Sequence, residues 1–390
     1  MQKKIIALAI AGLASSAAFA QTNVTIYGVA DAYVGYINQN GGVTSRTAGT
    51  PGNGSEAHGR DTVTVGSGGL TGSRLGFKGT EDLGNGLKAV FVLEYGLDLV
   101  NDAGIGANPV GATSQSLRAG SAFARQQFVG LSGGFGTVSF GRQYAPGYYA
   151  SADDYALYSI LSARTAQQAF LGGTIVGGSL ARWDNSINYV TNSIGGFTAQ
   201  VIYQGGAQAN ELSTRESYGI GLKYAGGPLT VNYVYQNAKT LTTTAAVPTA
   251  GLLSVATVAN ADGARVEEHF VGVNYDFGVA KLFTGLQTVD QGDKAVAGQA
   301  NHAWGYNVGV QVPVGKGTIA AGYAYTDRNN STRTTTVSSY RGEQNVLNLT
   351  YLHSLSKRTT LYTGVTYQDN DQLNAGGVTT TVAAGINHAF

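Results

Sequence analysis

Thr381-Val382-Ala383-Ala384-Gly385-Ile386-Asn387-His388-Ala389-Phe390 alternates apolar with small or polar side chains up to an aromatic end. A segment of that pattern reads as a β-strand, and a strand needs a neighbour for its unpaired N–H and C=O groups. Val24 to Tyr36, near the other end of the chain, has the same period and supplies one. If the two pair, the sheet closes on itself and no edge remains. Closure is the condition under which β-structure survives in lipid, where each unsatisfied backbone group costs several kcal/mol.

The two-residue period recurs along the chain. Leu87, Ala89, Phe91, Leu93 and Tyr95 share one face while Lys88 and Glu94 share the other; Leu229, Val231, Tyr233 and Tyr235 oppose Thr230, Asn232 and Gln236. Val271, Val273, Tyr275 and Phe277 stand against Glu268, Asn274 and Asp276 in the same way. A soluble sandwich also alternates, but here the wet face carries charges and the apolar face places aromatics near strand ends, as in a barrel with lipid outside and water inside. Short turns such as Glu81-Asp82-Leu83-Gly84-Asn85-Gly86, Gly226-Gly227-Pro228 and Pro313-Val314-Gly315-Lys316 alternate with long polar segments around 38–58, 97–122, 144–181, 240–264 and 328–340. Short turns on one rim and long loops on the other is the transmembrane-barrel layout, and the punctuation divides the chain into about 16 antiparallel strands.

Composition fits that reading. The chain is 43% hydrophobic, with 57 glycines, 23 tyrosines and no cysteine, which leaves neither a disulfide framework nor a thiolate metal site. Lys3 and Lys4, the apolar run Ile5–Leu13 and Ala18-Phe19-Ala20 read as a secretory signal over residues 1–20, leaving residues 21–390 as a single barrel domain. Removing the two lysines takes the basic count from 24 to 22 against 23 acidic residues, so no nucleic-acid-binding footprint is expected.

Several blocks resemble the general diffusion porins of Gram-negative outer membranes, in their beta-proteobacterial branch. They are Val24-Thr25-Ile26-Tyr27-Gly28-Val29-Ala30-Asp31-Ala32, the long run from Ser73 to Ala89, Arg125-Gln126-Gln127-Phe128-Val129-Gly130-Leu131, Phe135 to Tyr144, and Asp184-Asn185-Ser186-Ile187-Asn188-Tyr189. The resemblance implies a homotrimer of 16-stranded barrels whose third loop folds into the lumen. It also implies a setting of outer-membrane lipid and lipopolysaccharide, and passage of ions and small hydrophilic solutes. Phe390, with His388 beside it, would be read by the barrel-assembly machinery.

Arg74 alternates with Leu75 and Phe77 and so points inward beside Lys78; Arg125 is out of phase with Phe128 and is expected inward as well. Arg182 shares a phase with Asp184, Ser186 and Asn188, opposite Trp183, Ile187 and Tyr189. The resemblance sets these arginines on the basic wall of a pore constriction, and the alternative is that they merely line a wet interior. The 144–181 segment, with Asp153, Asp154, Tyr148, Tyr149, Tyr155 and Tyr158, looks like the third loop, and its carboxylates are expected to face the arginines. Arg142 is in phase with Val138 and Phe140, so it is expected outward at the rim, above the lipid or in a subunit contact, there with an acidic group of 97–122 such as Asp98 or Asp102.

The five histidines, His58, His269, His302, His353 and His388, show no ligand spacing, so neither a metal nor another cofactor is expected. An outer-membrane hydrolase is the first competing function, but the scattered histidines show no pairing with a nucleophile in the sequence. An adhesive barrel using loops such as 240–264, and a sugar-specific channel, are the others.

Overall fold

The computed structural model describes residues 23–40, 60–100, 124–153, 159–171, 181–205, 216–239, 265–292, 301–330, 341–372 and 377–390. The signal segment, His58, Asp102, Asp154, Tyr155 and Tyr158 lie outside them.

The described strands are β1 (Asn23–Asn40), β2 (Arg60–Ser67), β3 (Arg74–Gly84), β4 (Leu87–Gly96), β5 (Ala124–Gly133), β6 (Gly136–Tyr144), β7 (Arg182–Val190), β8 (Phe197–Gln204) and β9 (Ser217–Gly226). They continue as β10 (Leu229–Lys239), β11 (Arg265–Asp276), β12 (Lys281–Gly292), β13 (Asn301–Val314), β14 (Gly317–Asn330), β15 (Arg341–Ser354), β16 (Thr359–Gln372) and β17 (Gly377–Ala389). From β3 to β17 each pairs antiparallel with the next, and β17 pairs with β1 from Val29↔Ala389 to Asn40↔Val378. The terminal strands therefore close the sheet, as the alternation at both ends of the chain required.

The seventeen described strands make a sixteen-position ring. The long strand β1 pairs with β3 over residues 23–29 and with β2 over residues 32–39, so β2 and β3 sit one above the other in a single position of the wall. Between them the chain leaves the sheet at Gly68, whose φ of +79° favours glycine, and re-enters at Arg74.

Side chains alternate as the pattern demands. Along β11, Val266, Glu268, Phe270 and Asn274 are buried while His269, Val271 and Tyr275 are exposed, the second set on the lipid side. The inner wall is not uniformly polar, because it carries apolar patches where the β6–β7 connection rests on it. Leu161 packs with Tyr33, Tyr362, Ala320 and Ala383. Ala163 and Ala166 pack with Ala324 and Val346, and Leu171 packs with Val266, Val289 and Ala303. Among the described residues this connection carries two short helices, α1 (Pro146–Asp153) and α2 (Ala163–Leu171). The sequence reading had no helices here, although both carry local signals. Proline opens α1, where its missing N–H costs nothing, and α2 is rich in Ala and Gln. Their termini are bonded to the wall: Gly147 N–H donates to Gln236 Oε1 (2.7 Å) and Ala163 N–H to Asn348 Oδ1 (3.0 Å).

Candidate functional site

Two inward-facing arginines pair with one carboxylate, and two more cations lie over the tyrosines bonded to it. Glu94, on the wet face of β4, is 7% exposed at its side chain; its Oε1 lies 2.7 Å from Arg125 Nε and its Oε2 3.7 Å from Arg74 Nε. Tyr27 and Tyr144 donate their hydroxyls to the same carboxylate at 3.0 and 3.2 Å. Arg182 stands behind them, its Cζ 5.2 Å from the Tyr144 ring centroid, and Tyr144 stacks on Tyr148 of α1 at 3.6 Å between centroids. Arg125 Nη2 also donates to the Tyr148 hydroxyl (3.3 Å). Lys78 Nζ lies over the Tyr27 ring at 5.2 Å. Burial opposes ionisation of the Tyr148 phenol, yet the Arg125 charge, with Arg182 and Arg74 beyond it, holds it below its usual value. The local potential is positive.

Arg125 reaches this cluster by a route that simple alternation misses. Register shifts between Glu94 and Tyr95, where Ala124 pairs with Tyr95 and Gln126 with Glu94, so Arg125 is the extra residue of a bulge. The bulge, not its phase with Phe128, turns Arg125 inward. Phe128 itself lines an interior recess with Ser139 and Asn188, and therefore faces the lumen rather than lipid. A second shift, between Gly141 and Gln143 and close to Asn185 at φ 49°, changes the phase of β7. Trp183, expected outward, is buried with Ala145, Ile202 and Ala238. Asp184, expected inward, is exposed and accepts from Arg142 Nη1 at 2.5 Å; Arg142 Nε donates to Ala124 O at 2.7 Å. Asp153 ends α1, but its side chain, like all of Asp154, lies outside the described residues. The carboxylate found beside the arginines is Glu94, which alternation had put on the wet face without marking it as part of the site. Its signal was cross-strand: Gly76 faces Glu94 on β4, two residues from Arg74, and Arg125 follows on the next strand.

A profile of Gram-negative porins matches residues 7–373. The chain belongs to the Gram-negative porin family. Outer membrane porin protein 32 of Delftia acidovorans is 31% identical over the full length of both chains, and an outer membrane porin of Bordetella pertussis is 29% identical, again over both full lengths. Among solved structures, an anion-selective porin from Comamonas acidovorans superposes with a TM-score of 0.68 at 26% identity, covering 95% of this chain and all of that one. OmpT of Vibrio cholerae in its trimer form, at 16% identity and a TM-score of 0.65, shares the fold. This porin is thus a multi-pass β-barrel channel of the Gram-negative outer membrane, a channel by family and fold rather than an enzyme.

The strap beside Arg74 is pinned by Asp31, which strand alternation does not mark as special. Asp31, fully buried on β1, accepts hydrogen bonds from the backbone N–H groups of Gly69, Leu70 and Thr71 at 2.8, 3.1 and 3.0 Å. Tyr362 Oη and Asn387 Nδ2 each add a donor at 2.7 Å. The strap 68–73, pinned this way, in turn receives the β6–β7 connection, since Ser159 Oγ and Ile160 N–H both donate to Gly69 O. Its Gly72 O accepts from Arg74 Nη1 at 3.1 Å. The two barrel-seam strands and the strap are therefore one hydrogen-bonded unit, to which Arg74 is tied through Gly72 O.

Proposed function

We propose that the chain is a general diffusion porin whose selectivity is set by Arg74, Arg125, Arg182 and Lys78 at a constriction. The β6–β7 connection serves as its inward-folded third loop, with Asp153 and Asp154 on the opposite side. The observation that carries this is the imbalance of charge around Glu94, where two guanidinia share one carboxylate and a third, that of Arg182, lies over the neighbouring Tyr144 ring. Rings of cationic side chains favour anions in water-filled pores, so anions pass more readily than cations. The name of the Comamonas acidovorans relative points the same way.

The rest of the reading follows the family. Residues 1–20 are removed as a signal and residues 21–390 form one domain. Three copies assemble, with Arg142 at the subunit contact, in a membrane of outer-membrane lipid and lipopolysaccharide. Phe390, with His388 beside it, is presented to the barrel-assembly machinery. Purified protein in a planar bilayer under a salt gradient tests the channel reading directly. An anion-directed reversal potential is expected, and folded barrels that pass no current would refute it.

A further inference from the structure

Beneath α1 the inner wall opens into a recess of about 480 Å³, within the size range of small-ligand sites. Pro146 and Tyr149 of α1 roof it, and Phe128, turned inward on β5, forms a side wall. The floor is amide: Gln200 Nε2 donates to Asn188 Oδ1 at 3.1 Å and to Tyr144 O at 3.3 Å, so these side chains largely satisfy one another. Lys223, three residues before the end of β9, brings the only charge among the described residues that line it. That places the ammonium toward the short-turn rim. The recess is separate from the guanidinium cluster, which contributes no lining residue.

We propose that this recess is a binding site for small aromatic carboxylates entering from the short-turn side. A water-filled channel needs no phenylalanine in its inner wall, since an apolar ring facing water is unfavourable. A ligand ring slotted between Phe128 and Tyr149 removes that surface from water, and offset or edge-on aromatic contacts add to it. The already bonded amide floor has little left to offer a polyhydroxylated sugar, whose hydroxyls would trade water for unfilled partners. Lys223 supplies the countercharge for a carboxylate. The ligand class is therefore a planar ring bearing one negative group.

The inference rests on the channel reading, and one recording separates the two: chloride current without ligand reports the pore, and its reduction by ligand reports the recess. Benzoate, acetate and benzyl alcohol are added in turn, on each side, to full-length porin in a planar bilayer at constant ionic strength. Benzoate from the short-turn side is expected to interrupt the current, while acetate (charge without ring) and benzyl alcohol (ring without charge) do so only at much higher concentration. Lys223→Gln and Phe128→Ser are each expected to weaken the benzoate effect by roughly tenfold, corresponding to ~1.4 kcal/mol. Equal effects of the three compounds on wild-type protein with normal chloride current would overturn the proposal without any variant. So would benzoate interruption that both folded variants retain in full.

Discussion

The ring of Phe390 lies over Gly28, and the two residues exchange main-chain hydrogen bonds of 3.0 Å in each direction. A Cβ placed on Gly28 would stand 2.3 Å from Phe390 Cζ and 2.6 Å from Arg74 O, so a larger residue must displace the terminal ring or the strand beside it. Gly28→Val is expected to push the aromatic off the seam, and deleting Phe390 to remove it altogether. Both should cut the amount of folded, heat-modifiable barrel in the outer membrane while leaving the conductance of the barrels that do assemble near wild type. Quantitative unheated gels of membrane fractions measure this, and wild-type levels of folded protein after the deletion would rule out an assembly role.

Asp31 gives a second prediction. Asp31→Asn keeps the volume but replaces one acceptor oxygen with an NH₂ that faces donors already in place. A buried donor left unsatisfied costs about 1–3 kcal/mol. The strap 68–73 should loosen, lowering the temperature at which the band shifts on heating and adding sublevels to single-channel current. Tyr362→Phe removes one donor alone and should fall between the two. Identical melting and current for Asp31→Asn and wild type would show that the five bonds contribute little.

The barrel was legible because period two survives in the sequence wherever a strand is lipid-coated on one side and wet on the other. The closing pair is the clearest case, since Val382 and Ile386 alternate with Ala383 and Asn387 as lipid outside and lumen inside demand. Alternation failed where a bulge inserts a residue. It cannot foresee that Arg125 is the extra residue opposite Glu94 and Tyr95, or that the shift after Gly141 buries Trp183 and exposes Asp184. It also cannot see contacts between distant segments. Asp31 looked like one polar residue of an ordinary strand because its donors come from positions 69–71, 362 and 387.

Arg142 and Asp184 yield a prediction about assembly. The pair is presented on the outside of the wall with Asp184 well exposed, and an exposed ion pair by itself is worth little, about 0–1 kcal/mol. If it meets a neighbouring subunit, Arg142→Ala and Asp184→Ala should leave the barrel folded but shift the assembly from trimer toward monomer. Ultracentrifugation in mild detergent reads the outcome. Trimers of undiminished stability in both variants would place the subunit contact elsewhere.

The final prediction concerns the charges themselves. A unit charge about 4 Å from a passing ion contributes ~1 kcal/mol at the dielectric of water and more in a confined lumen, a bias of roughly fivefold in local occupancy. Arg74→Ala with Arg125→Ala should therefore move the reversal potential toward cations and enlarge the conductance modestly. Glu94→Gln should move it further toward anions, because it removes the one carboxylate held among the guanidinia. Asp153→Asn with Asp154→Asn should act in the same direction as Glu94→Gln if the two loop carboxylates also face the pore. All of these shifts should shrink as salt rises, since the screening length falls from about 10 Å at 0.1 M to about 3 Å at 1 M. The arginine and Glu94 variants must shift in opposite directions at low salt. If both leave the reversal potential where it was, in barrels that remain folded, the cluster lies off the ion path and Arg74, Arg125 and Arg182 serve only to brace Glu94 and the tyrosines.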